Sequence, residues 1–263
     1  LRASMAGTLA LIIGLSTLFF TAILFYTEAF DFVTLGILVA GFNIVQWLIS
    51  PYIIDAMYRT RKINIEDNPR LNEIVQSLSQ KTGIKKPTLM LADIPIPNAF
   101  AYGSPIAGTK VAVTSGLLKT LNDGEVEAVI GHELGHLKHK DVQIMMFASL
   151  LPSIAYFIGY SLMLSSMYGR QKNEGNGAAI GIAFVAFSWV LNLFTLHLSR
   201  QREYYADKHS TTVVENGSSK LSTGLAKIVS ATKNLHTTKN TKHNTAFKAL
   251  FIADPDRAHL DSA

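Results

Sequence analysis

The 263-residue chain contains no cysteine and little charge. Without cysteine, disulfide frameworks and thiolate metal sites are excluded, so any metal must be held by histidine, aspartate or glutamate side chains. Charged residues make up 16% of the chain, whereas soluble domains contain about 25%. Hydrophobic residues make up 48%, and the mean hydropathy is +0.23. This balance is typical of a membrane protein.

Four long stretches lack aspartate, glutamate, lysine and arginine altogether. They are Met5–Thr27, Phe32–Ile54, Val142–Tyr168 and Gly175–Ser199. Each reaches the roughly 20 apolar residues that a helix needs to cross a bilayer core of about 30 Å. A buried core helix is the alternative for any one of them, but four such stretches in one chain favour transmembrane helices. Pro152 lies inside the third, where neighbouring helices can tolerate the kink it causes.

The spans divide the chain into four parts. Residues 1–54 hold the first two spans, residues 142–199 form a transmembrane hairpin, and residues 55–141 and 200–263 are polar. Because two spans separate the polar parts, both must lie on the same side of the membrane.

Basic residues close to the spans indicate which side that is. Those next to the polar parts are Arg2, Arg59, Arg61, Lys62, Lys138, Lys140, Arg200 and Arg202. The opposite connections carry Glu28 and Asp31, then Arg170, Lys172 and Glu174. We predict a multi-pass cell-membrane protein whose polar parts face the cytoplasm. The formal charge of +5 is scattered over these flanks, which gives no support to a nucleic-acid partner.

The first polar part carries helix and strand signals. Asn68 followed by proline is typical of a helix start, Gly83 is placed to end that helix, and Asn122 with Glu125 forms a capping pair for a second helix. Two short strands are predicted between these helices, with a turn-rich connection joining them. The strands are Thr88–Asp93 and Lys110–Ser115, and the connection is "IPIPNAFAYGSPIAG", residues 94–108.

The second helix carries an HExxH pattern formed by His132, Glu133 and His136. Histidines four residues apart share one helix face, so both imidazoles can bind one ion. Glu133 can then take a proton from a water that zinc makes acidic enough to react near neutral pH. The pattern also occurs by chance, but its position in a capped helix with periodic apolar residues strengthens the prediction of one zinc ion per chain.

A zinc site of this kind needs a third protein ligand. A histidine ten residues after the first is excluded because Val142 occupies that position. His139 lies seven residues from His132, which favours a surface or supporting role for it. A glutamate from a later helix is the other option. "SRQREYYADK" supplies Glu203, with Asp207 one turn on to hydrogen-bond a ligand histidine. Without the HExxH pattern, an exposed charge beside arginines would be the preferred interpretation of Glu203.

In combination and in order, these motifs resemble the HtpX-type membrane zinc metalloproteases, gluzincins related to the CAAX prenyl protease. The resemblance covers nearly the whole chain and rests on "PNAFAYGS" (Pro97–Ser104), "EAVIGHELGHLKHKD" (Glu127–Asp141) and "SRQREYYAD" (Ser199–Asp207) among the four spans. One departure is that such proteins usually carry a His-Pro stretch near the C-terminus, which "ADPDRAHLDSA" does not match. The group that stabilises the tetrahedral intermediate is therefore not identified.

The resemblance implies a membrane α-helical protein with a cytoplasmic α+β metallopeptidase domain of the gluzincin type. Its ligands map onto His132, His136 and Glu203, its catalytic glutamate onto Glu133, and its supporting aspartate onto Asp207. It also implies ATP-independent cleavage of misfolded or membrane proteins in quality control and stress response, with polypeptide substrates and the lipid bilayer as partners.

An extended substrate could add to a strand edge near the site through main-chain hydrogen bonds. The candidate residues for this are Asn98, Ala99, Phe100 and Ala101. For Phe100 and Tyr102, a role as ordinary core aromatics is an equally good interpretation.

Two other functions fit parts of the sequence. A non-enzymatic metal-binding or transport protein predicts ionisable residues inside the spans, of which only His197 qualifies. A prenyl-protein processing peptidase would use the same chemistry but would enclose a larger chamber with more spans.

Overall fold

The computed structural model describes residues 14–24, 26–27, 31–168 and 177–238. The helices in these ranges are α1 (Gly14–Leu24), α2 (Phe32–Tyr58), α3 (Pro69–Thr82), α4 (Ser115–Thr120), α5 (Asp123–Lys138), α6 (Asp141–Tyr168), α7 (Gly177–Val213) and α8 (Gly217–Thr238). The strands are β1 (Arg61–Lys62), β2 (Thr88–Ala92), β3 (Ala99–Ser104) and β4 (Gly108–Thr114).

The described residues form two compact units. Unit 1 comprises residues 47–142 and 202–238, and unit 2 comprises residues 14–24, 26–27, 31–46, 143–168 and 177–201. The polar segments and the HExxH helix belong to unit 1, so the candidate chemistry is contained in that unit.

Unit 1 contains a mixed four-stranded sheet in the order β1-β2-β4-β3. β2 runs parallel to β4, and the two outer pairings are antiparallel. β3 pairs with β4 alone among the described strands, with Ala99 opposite Val113 and Tyr102 opposite Lys110. The other edge of β3 is therefore available for contacts outside the sheet.

The core of unit 1 consists of aliphatic side chains from α3, α5, α8 and the sheet. Its fully buried members include Val75, Leu78, Val111, Val113, Leu117, Val129, Ile130 and Leu134. The i, i+3, i+4 spacing in α3 and α5 places these side chains on one face of each helix, which is the amphipathic pattern that buries a helix against a sheet. The α+β character predicted for this part of the chain is present.

The helix ends predicted from the sequence are confirmed. The Asn68 side chain accepts a hydrogen bond from Leu71 N, and Gly83 ends α3 with a positive φ of 73°. At α5, Asn122 accepts from Glu125 N at 2.9 Å while the Glu125 carboxylate accepts from Asn122 N at 3.0 Å. This reciprocal pair satisfies two of the backbone N–H groups at the helix start and fixes where the HExxH helix begins.

Pro152 lies inside the apolar helix α6. A proline in this position leaves one main-chain carbonyl without its helical partner, and in α6 a hydroxyl group donates a hydrogen bond to that carbonyl. Pro152 removes the N–H that would bond the carbonyl of Ala148, and the Thr195 hydroxyl of α7 donates to that oxygen at 3.2 Å. The same two helices approach closely at Gly159 and Gly181, since a Cβ on Gly159 would lie 2.6 Å from the Gly181 carbonyl oxygen. Pro152 is thus accommodated by the neighbouring helix, as the sequence predicts.

The Thr195 hydroxyl also lies 3.1 Å from Leu191 O in its own helix. Removing the hydroxyl should destabilise unit 2 mainly through the carbonyl of Ala148, which Pro152 leaves without a helical partner. We expect Thr195→Val to lower the free energy of unfolding by about 0.6 kcal/mol and at most ~1.7 kcal/mol, the range for hydrogen bonds between membrane helices. Thr195→Ser keeps the hydroxyl and should cost less. Reversible unfolding in detergent measures the difference. In a Pro152→Ala background, where Ala148 regains a backbone partner, Thr195→Val should cost less than in the natural chain, and an unchanged cost would contradict this assignment.

Two helices are long and apolar enough to cross a membrane, α2 and α7, within the part of the chain that the structure describes. The described portion of the first predicted span is the shorter apolar helix α1, and residues 5–13 of that span lie outside the described residues. The third span falls within α6, whose apolar section Leu151–Met163 is also shorter than a full crossing. Helices that could cross a membrane are therefore present, and the number four stays a prediction.

Three details differ from the sequence-based expectations. β3 lies inside the stretch that the sequence predicts as a turn-rich connection, because its pairing with β4 is a tertiary contact that strand propensity does not reveal. α7 does not end at Ser199 but continues to Val213 as one helix. Residues 115–120 form the short helix α4, capped by Thr114, where the sequence predicts only the end of a strand.

Candidate metal centre

α5 places His132, Glu133 and His136 one helical turn apart or less. His132 and Glu133 are each 4% exposed, although both carry polar side chains. Burying such groups costs free energy unless they are paired or bind an ion. Their burial therefore indicates a site in which these side chains are paired or bind an ion.

The two imidazoles face each other with their Nε2 atoms. His132 Nε2 and His136 Nε2 lie 3.2 Å apart, and the ring planes are nearly perpendicular at 86°. Glu203 of α7 brings its Oε2 to 3.9 Å from His132 Nε2. Ligand atoms of these three residues all lie within 4.8 Å of one another, the only such group of three or more among the described residues. His139 is not part of this group, and its ring lies near Tyr205 instead.

A close approach of two helices brings α7 to the histidines. A Cβ on Gly135 would lie 3.0 Å from the Cα of Ala206, and a Cβ on Gly131 would lie 3.3 Å from the hydroxyl oxygen of Ser210. Because Gly135 has no side chain, α7 can pack directly against α5 at this point. Glu203, three residues before Ala206, is thereby held beside the imidazoles.

Each imidazole is oriented by a carboxylate at its other nitrogen. His136 Nδ1 lies 2.6 Å from Asp141 Oδ2 in a hydrogen bond. His132 Nδ1 lies 2.8 Å from Asp207 Oδ1, in a charge contact that is not aligned as a hydrogen bond. A carboxylate at Nδ1 holds the proton there and leaves the Nε2 lone pair free to bind a metal.

Asp141 contacts the candidate site, and the sequence analysis did not assign it a role. Its side chain is only 3% exposed, and Arg202 Nε lies 3.2 Å from the same oxygen that His136 contacts. The sequence places it only as the last residue before an apolar run. A buried carboxylate five residues after the second histidine was the available signal, but burial is visible only in the fold.

The charges around the site favour a cation. Burial alone would lower the pKa of His132, but the contact with Asp207 and the charges of Glu133 and Glu203 outweigh it and hold that pKa above its usual value. Burial would raise the pKa of Asp141, yet the hydrogen bond with His136 and the Arg202 charge hold it below the usual range. A site that stabilises positive charge on an imidazole also stabilises a metal ion in its place.

The donor set fits zinc. Two nitrogens bound at about 2.0–2.1 Å to one tetrahedral zinc are ~3.3 Å apart, close to the 3.2 Å between the two Nε2 atoms. At this distance two Nε2 lone pairs would repel each other unless a cation or a proton lay between them. Two histidines and one glutamate form a ligand set typical of catalytic zinc sites.

Glu133 does not join this group but turns toward the edge of the sheet. Its Oε2 accepts a hydrogen bond from Ala101 N at 2.8 Å. Burial raises the pKa of the Glu133 carboxyl, although the charges of His136 and His132 and this hydrogen bond act in the opposite direction. Burial that disfavours the anion is one way in which a general base is tuned toward neutral pH.

β3 offers its main chain at this edge. Thr114 N donates to Asn98 O, and alternation along an antiparallel pair then directs the main-chain groups of Ala99, Ala101 and Gly103 away from β4. Of the predicted substrate residues, Asn98, Ala99 and Phe100 have buried side chains. The Phe100 ring packs 4.9 Å from that of Tyr58, which supports the core interpretation for its side chain. β3 is thus an edge strand of the sheet next to Glu133, and its role in substrate binding stays a prediction.

Breaking the Asp141 contact should weaken metal binding without removing a ligand. We expect Asp141→Asn to reduce zinc affinity by about 10–100-fold, the usual effect of losing a carboxylate that orients a metal-binding histidine. Competition with a chromophoric chelator measures this affinity. Asp123→Asn is the matched control, since Asp123 is an exposed carboxylate at the start of α5 that contacts Arg70. Equal affinities for the Asp141 variant and the natural chain would show that Asp141 only supports packing.

Comparison with known proteins gives a consistent result. The model of peptidase family M48 matches residues 66–256. The chain is 40% identical to the protease HtpX homologue of Thermoplasma acidophilum over 82% of this chain and 69% of that protein. It is 36% identical to the homologue of Thermoplasma volcanium, over 96% and 82% respectively, and 42% identical to HtpX homologue 2 of Sulfurisphaera tokodaii, over 85% and 70%.

A solved structure resembles the chain at the level of fold. The crystal structure of S. mikatae Ste24p superposes with a TM-score of 0.54 at 20% sequence identity, covering 94% of this chain and 61% of that chain. At this identity the likeness concerns the fold alone.

Proposed function

The chain belongs to peptidase family M48, and on that premise we propose that it is an integral-membrane zinc endopeptidase that cleaves misfolded or membrane-embedded polypeptides in quality control. Family membership makes it a membrane metalloprotease. The observation that carries the assignment of the site is the pair of Nε2 atoms 3.2 Å apart, each imidazole held by a carboxylate at its other nitrogen.

His132, His136 and Glu203 are the proposed ligands of one zinc ion, with Asp141 and Asp207 orienting the two histidines. When bound, zinc supplies Lewis-acid chemistry, acidifying water and polarising a peptide carbonyl. Glu203 adds a negative charge that tightens binding and leaves a coordination position open, as in other two-histidine, one-glutamate sites.

Glu133 is the proposed general base. Its position next to His132, outside the ligand group, allows it to accept a proton from the attacking water and to return it to the leaving amine. In this structure its carboxylate is held by the N–H of Ala101. That hydrogen bond orients the base toward the place where a substrate would lie along β3.

The free edge of β3 is the proposed substrate-binding element. A substrate in extended conformation would pair with the outward main-chain groups of Ala99 and Gly103 and with the carbonyl of Ala101, whose N–H is bonded to Glu133. Pairing through the main chain is tolerant of side-chain identity, which suits an enzyme that removes many different damaged proteins. The side chains of Asn98 and Phe100 are buried. We therefore propose that these two residues support β3 and do not contact the substrate through their side chains.

Proteolysis of an unfolded membrane-embedded polypeptide by the zinc-loaded protein tests this function. A chelator should stop cleavage, and added zinc should restore it. A prenyl-protein processing peptidase is the alternative with the same chemistry, and it predicts cleavage of prenylated peptides in preference to unfolded proteins. A non-enzymatic metal-binding protein would cleave neither.

We further propose that the catalytic parts face the cytoplasm, because basic residues cluster next to them. The chain has no cysteine, so single cysteines can report the topology. Glu73→Cys, in an exposed position of α3, and Asn173→Cys, between the last two predicted spans, should react with a membrane-impermeant maleimide from opposite sides of a sealed vesicle. Reaction from the same side would contradict the transmembrane hairpin.

A further inference from the structure

The turn between β3 and β4 is fastened to the apolar part of α2. The Ser104 hydroxyl, buried at the end of β3, donates to the main-chain oxygen of Leu48 at 3.0 Å and accepts from Ala107 N at 3.2 Å. We call Pro105–Ala107 the hairpin tip. Since Leu48 and Ser104 both belong to unit 1, the tip lies beside α2 at the level of Leu48.

Pro51 leaves one carbonyl of α2, that of Trp47, without its helical partner. Proline removes the N–H that would bond the carbonyl of Trp47, and the Ser50 hydroxyl donates to that oxygen at 2.9 Å. The next carbonyl is that of Leu48, to which Ser104 donates. The hairpin tip is therefore held against α2 at a defined point and does not extend freely into solvent.

The contact at Leu48 lies well inside the apolar stretch of α2. Leu48 precedes Asp55, the first charged residue along α2, by seven residues, or about 10 Å at 1.5 Å per residue. Between them Ile49, Tyr52 and Ile53 are 46%, 51% and 48% exposed. In a helix long and apolar enough to cross a membrane, such exposed apolar side chains are expected to face lipid.

The hairpin itself has the composition of a lipid-facing segment. No aspartate, glutamate, lysine or arginine occurs from residue 94 to residue 109. Ile106, in the tip, is 66% exposed. A single exposed isoleucine is ordinary on a soluble protein, but here it projects from a charge-free hairpin fastened beside an apolar helix.

A polar cluster marks the level at which charge begins again. Lys110 Nζ lies 2.5 Å from Asp55 Oδ2, and the Tyr102 hydroxyl donates to Asp55 Oδ1 at 2.6 Å. The Lys110 ammonium also lies 5.7 Å from the centre of the Tyr52 ring. Lysine and tyrosine with apolar stems and polar ends are typical of the boundary between lipid and water. The hairpin tip and Leu48 lie on the apolar side of this cluster.

We propose that the hairpin tip inserts into the membrane leaflet that surrounds α2, and that lipid acyl chains next to the headgroups cover Ile106. The β3–β4 pairing satisfies the main-chain groups of Phe100, Tyr102 and Ser104, which face β4, and the Ser104 hydroxyl satisfies Ala107 N. Near the tip, the outward-facing N–H and C=O of Gly103 lie at the end of the strand, next to the turn. The unpaired polar groups that would oppose entry into lipid are thus confined to the turn and this end of the strand.

If the proposed function holds, this insertion also defines where substrates come from. Ala101, which contacts Glu133, precedes Ser104 by three residues, about 10 Å along a strand. One end of the substrate-binding edge would then lie in lipid and the other at the catalytic base. A segment leaving the bilayer could pair along β3 without first crossing open water.

Depth-dependent fluorescence quenching tests the insertion directly. Ile106→Cys and Ile65→Cys, each the only cysteine in its chain, are labelled with an environment-sensitive fluorophore and placed in lipid nanodiscs. Ile65 is the matched control, because it is 67% exposed in unit 1 but lies beside Glu66 and Asp67. Lipids carrying a nitroxide on the acyl chain should remove most of the emission at position 106 and little at position 65, and aqueous iodide should do the reverse.

The outcomes distinguish whether lipid, water or protein surrounds the hairpin tip. Iodide quenching at position 106 equal to that at position 65 would show a tip in water and overturn the proposal. Protection from both quenchers would show that protein covers the tip, which also overturns it. The measurement needs no substrate and no catalysis, so its result is independent of the proposed function.

A second comparison tests the consequence for substrates. Ile106→Asp should slow the cleavage of a membrane-embedded substrate more than that of a soluble unfolded one, whereas Ile65→Asp should affect neither. Equal losses on both substrates would show that the tip does not serve substrate delivery.

Discussion

Replacing Glu133 by glutamine should leave zinc bound and the protein folded while proteolysis falls by about 10²–10⁴-fold, the usual contribution of general acid–base catalysis. Glutamine keeps the size of the side chain and can still accept the hydrogen bond from Ala101 N, but it cannot take a proton from water. The measurement is the initial rate of cleavage of an unfolded substrate, with zinc content determined on the same samples. The effect should appear mainly in kcat, because the side chain is not proposed to bind substrate.

A glutamate on the same helix provides the control. Glu127 lies 3.5 Å from Lys220, and it is not part of the ligand group. Glu127→Gln should therefore retain both zinc and activity. Natural rates in zinc-loaded Glu133→Gln protein would remove Glu133 from the mechanism, whereas loss of zinc in that variant would mean that Glu133 is a ligand.

Removing Glu203 should empty the site more completely than any change in the residues that support it. Glu203→Ala leaves two imidazoles and no ligand charge, and an open site with only two protein ligands falls short of the three that catalytic zinc sites use. We expect zinc content well below one ion per chain after dialysis, with proteolysis lost in parallel. His136→Ala should behave in the same way.

Thermal unfolding gives a readout that does not depend on activity. A ligand that binds only the folded protein stabilises it by about 2.7 kcal/mol at a concentration 100 times its Kd. Added zinc should therefore raise the Tm of the natural chain but not that of Glu203→Ala. Glu215→Ala, which changes an exposed glutamate just after α7, should respond to zinc as the natural chain does. A normal zinc-dependent shift in Glu203→Ala would show that another residue is the third ligand.

The sequence predicted the features that depend on neighbouring residues. The capping residues Asn68 and Asn122, and Gly83 at the end of α3, are confirmed because capping is decided within one turn of helix. The HExxH pattern predicted for the same reason that the imidazoles of His132 and His136 lie side by side, since residues four apart share a helix face whatever surrounds them. The family and the peptidase class were reached from the order of the motifs, and both are confirmed.

Distant residues were harder to place. Glu203 was proposed by elimination and by resemblance, 67 residues after His136, and the structure brings it to the imidazoles. What makes this possible is the Gly135–Ala206 approach, which no local pattern in α7 indicates. That Glu203 and Asp207 lie on a helix continuous with the apolar stretch was also not expected, because polarity changes at Ser199 while the helix does not end there.

The sequence by itself thus determined the side chains that are available: histidines and carboxylates without thiolates, a glutamate beside the first histidine, and apolar helices on either side. Only the tertiary structure decided which carboxylate serves which purpose. Asp141 orients His136, and Glu133 turns to Ala101, because burial and contacts between elements select one partner among several that the sequence allows. The physical reason is range: caps and helix periodicity act over a few residues, whereas the position of a charge in a buried site is set by residues far away in the chain.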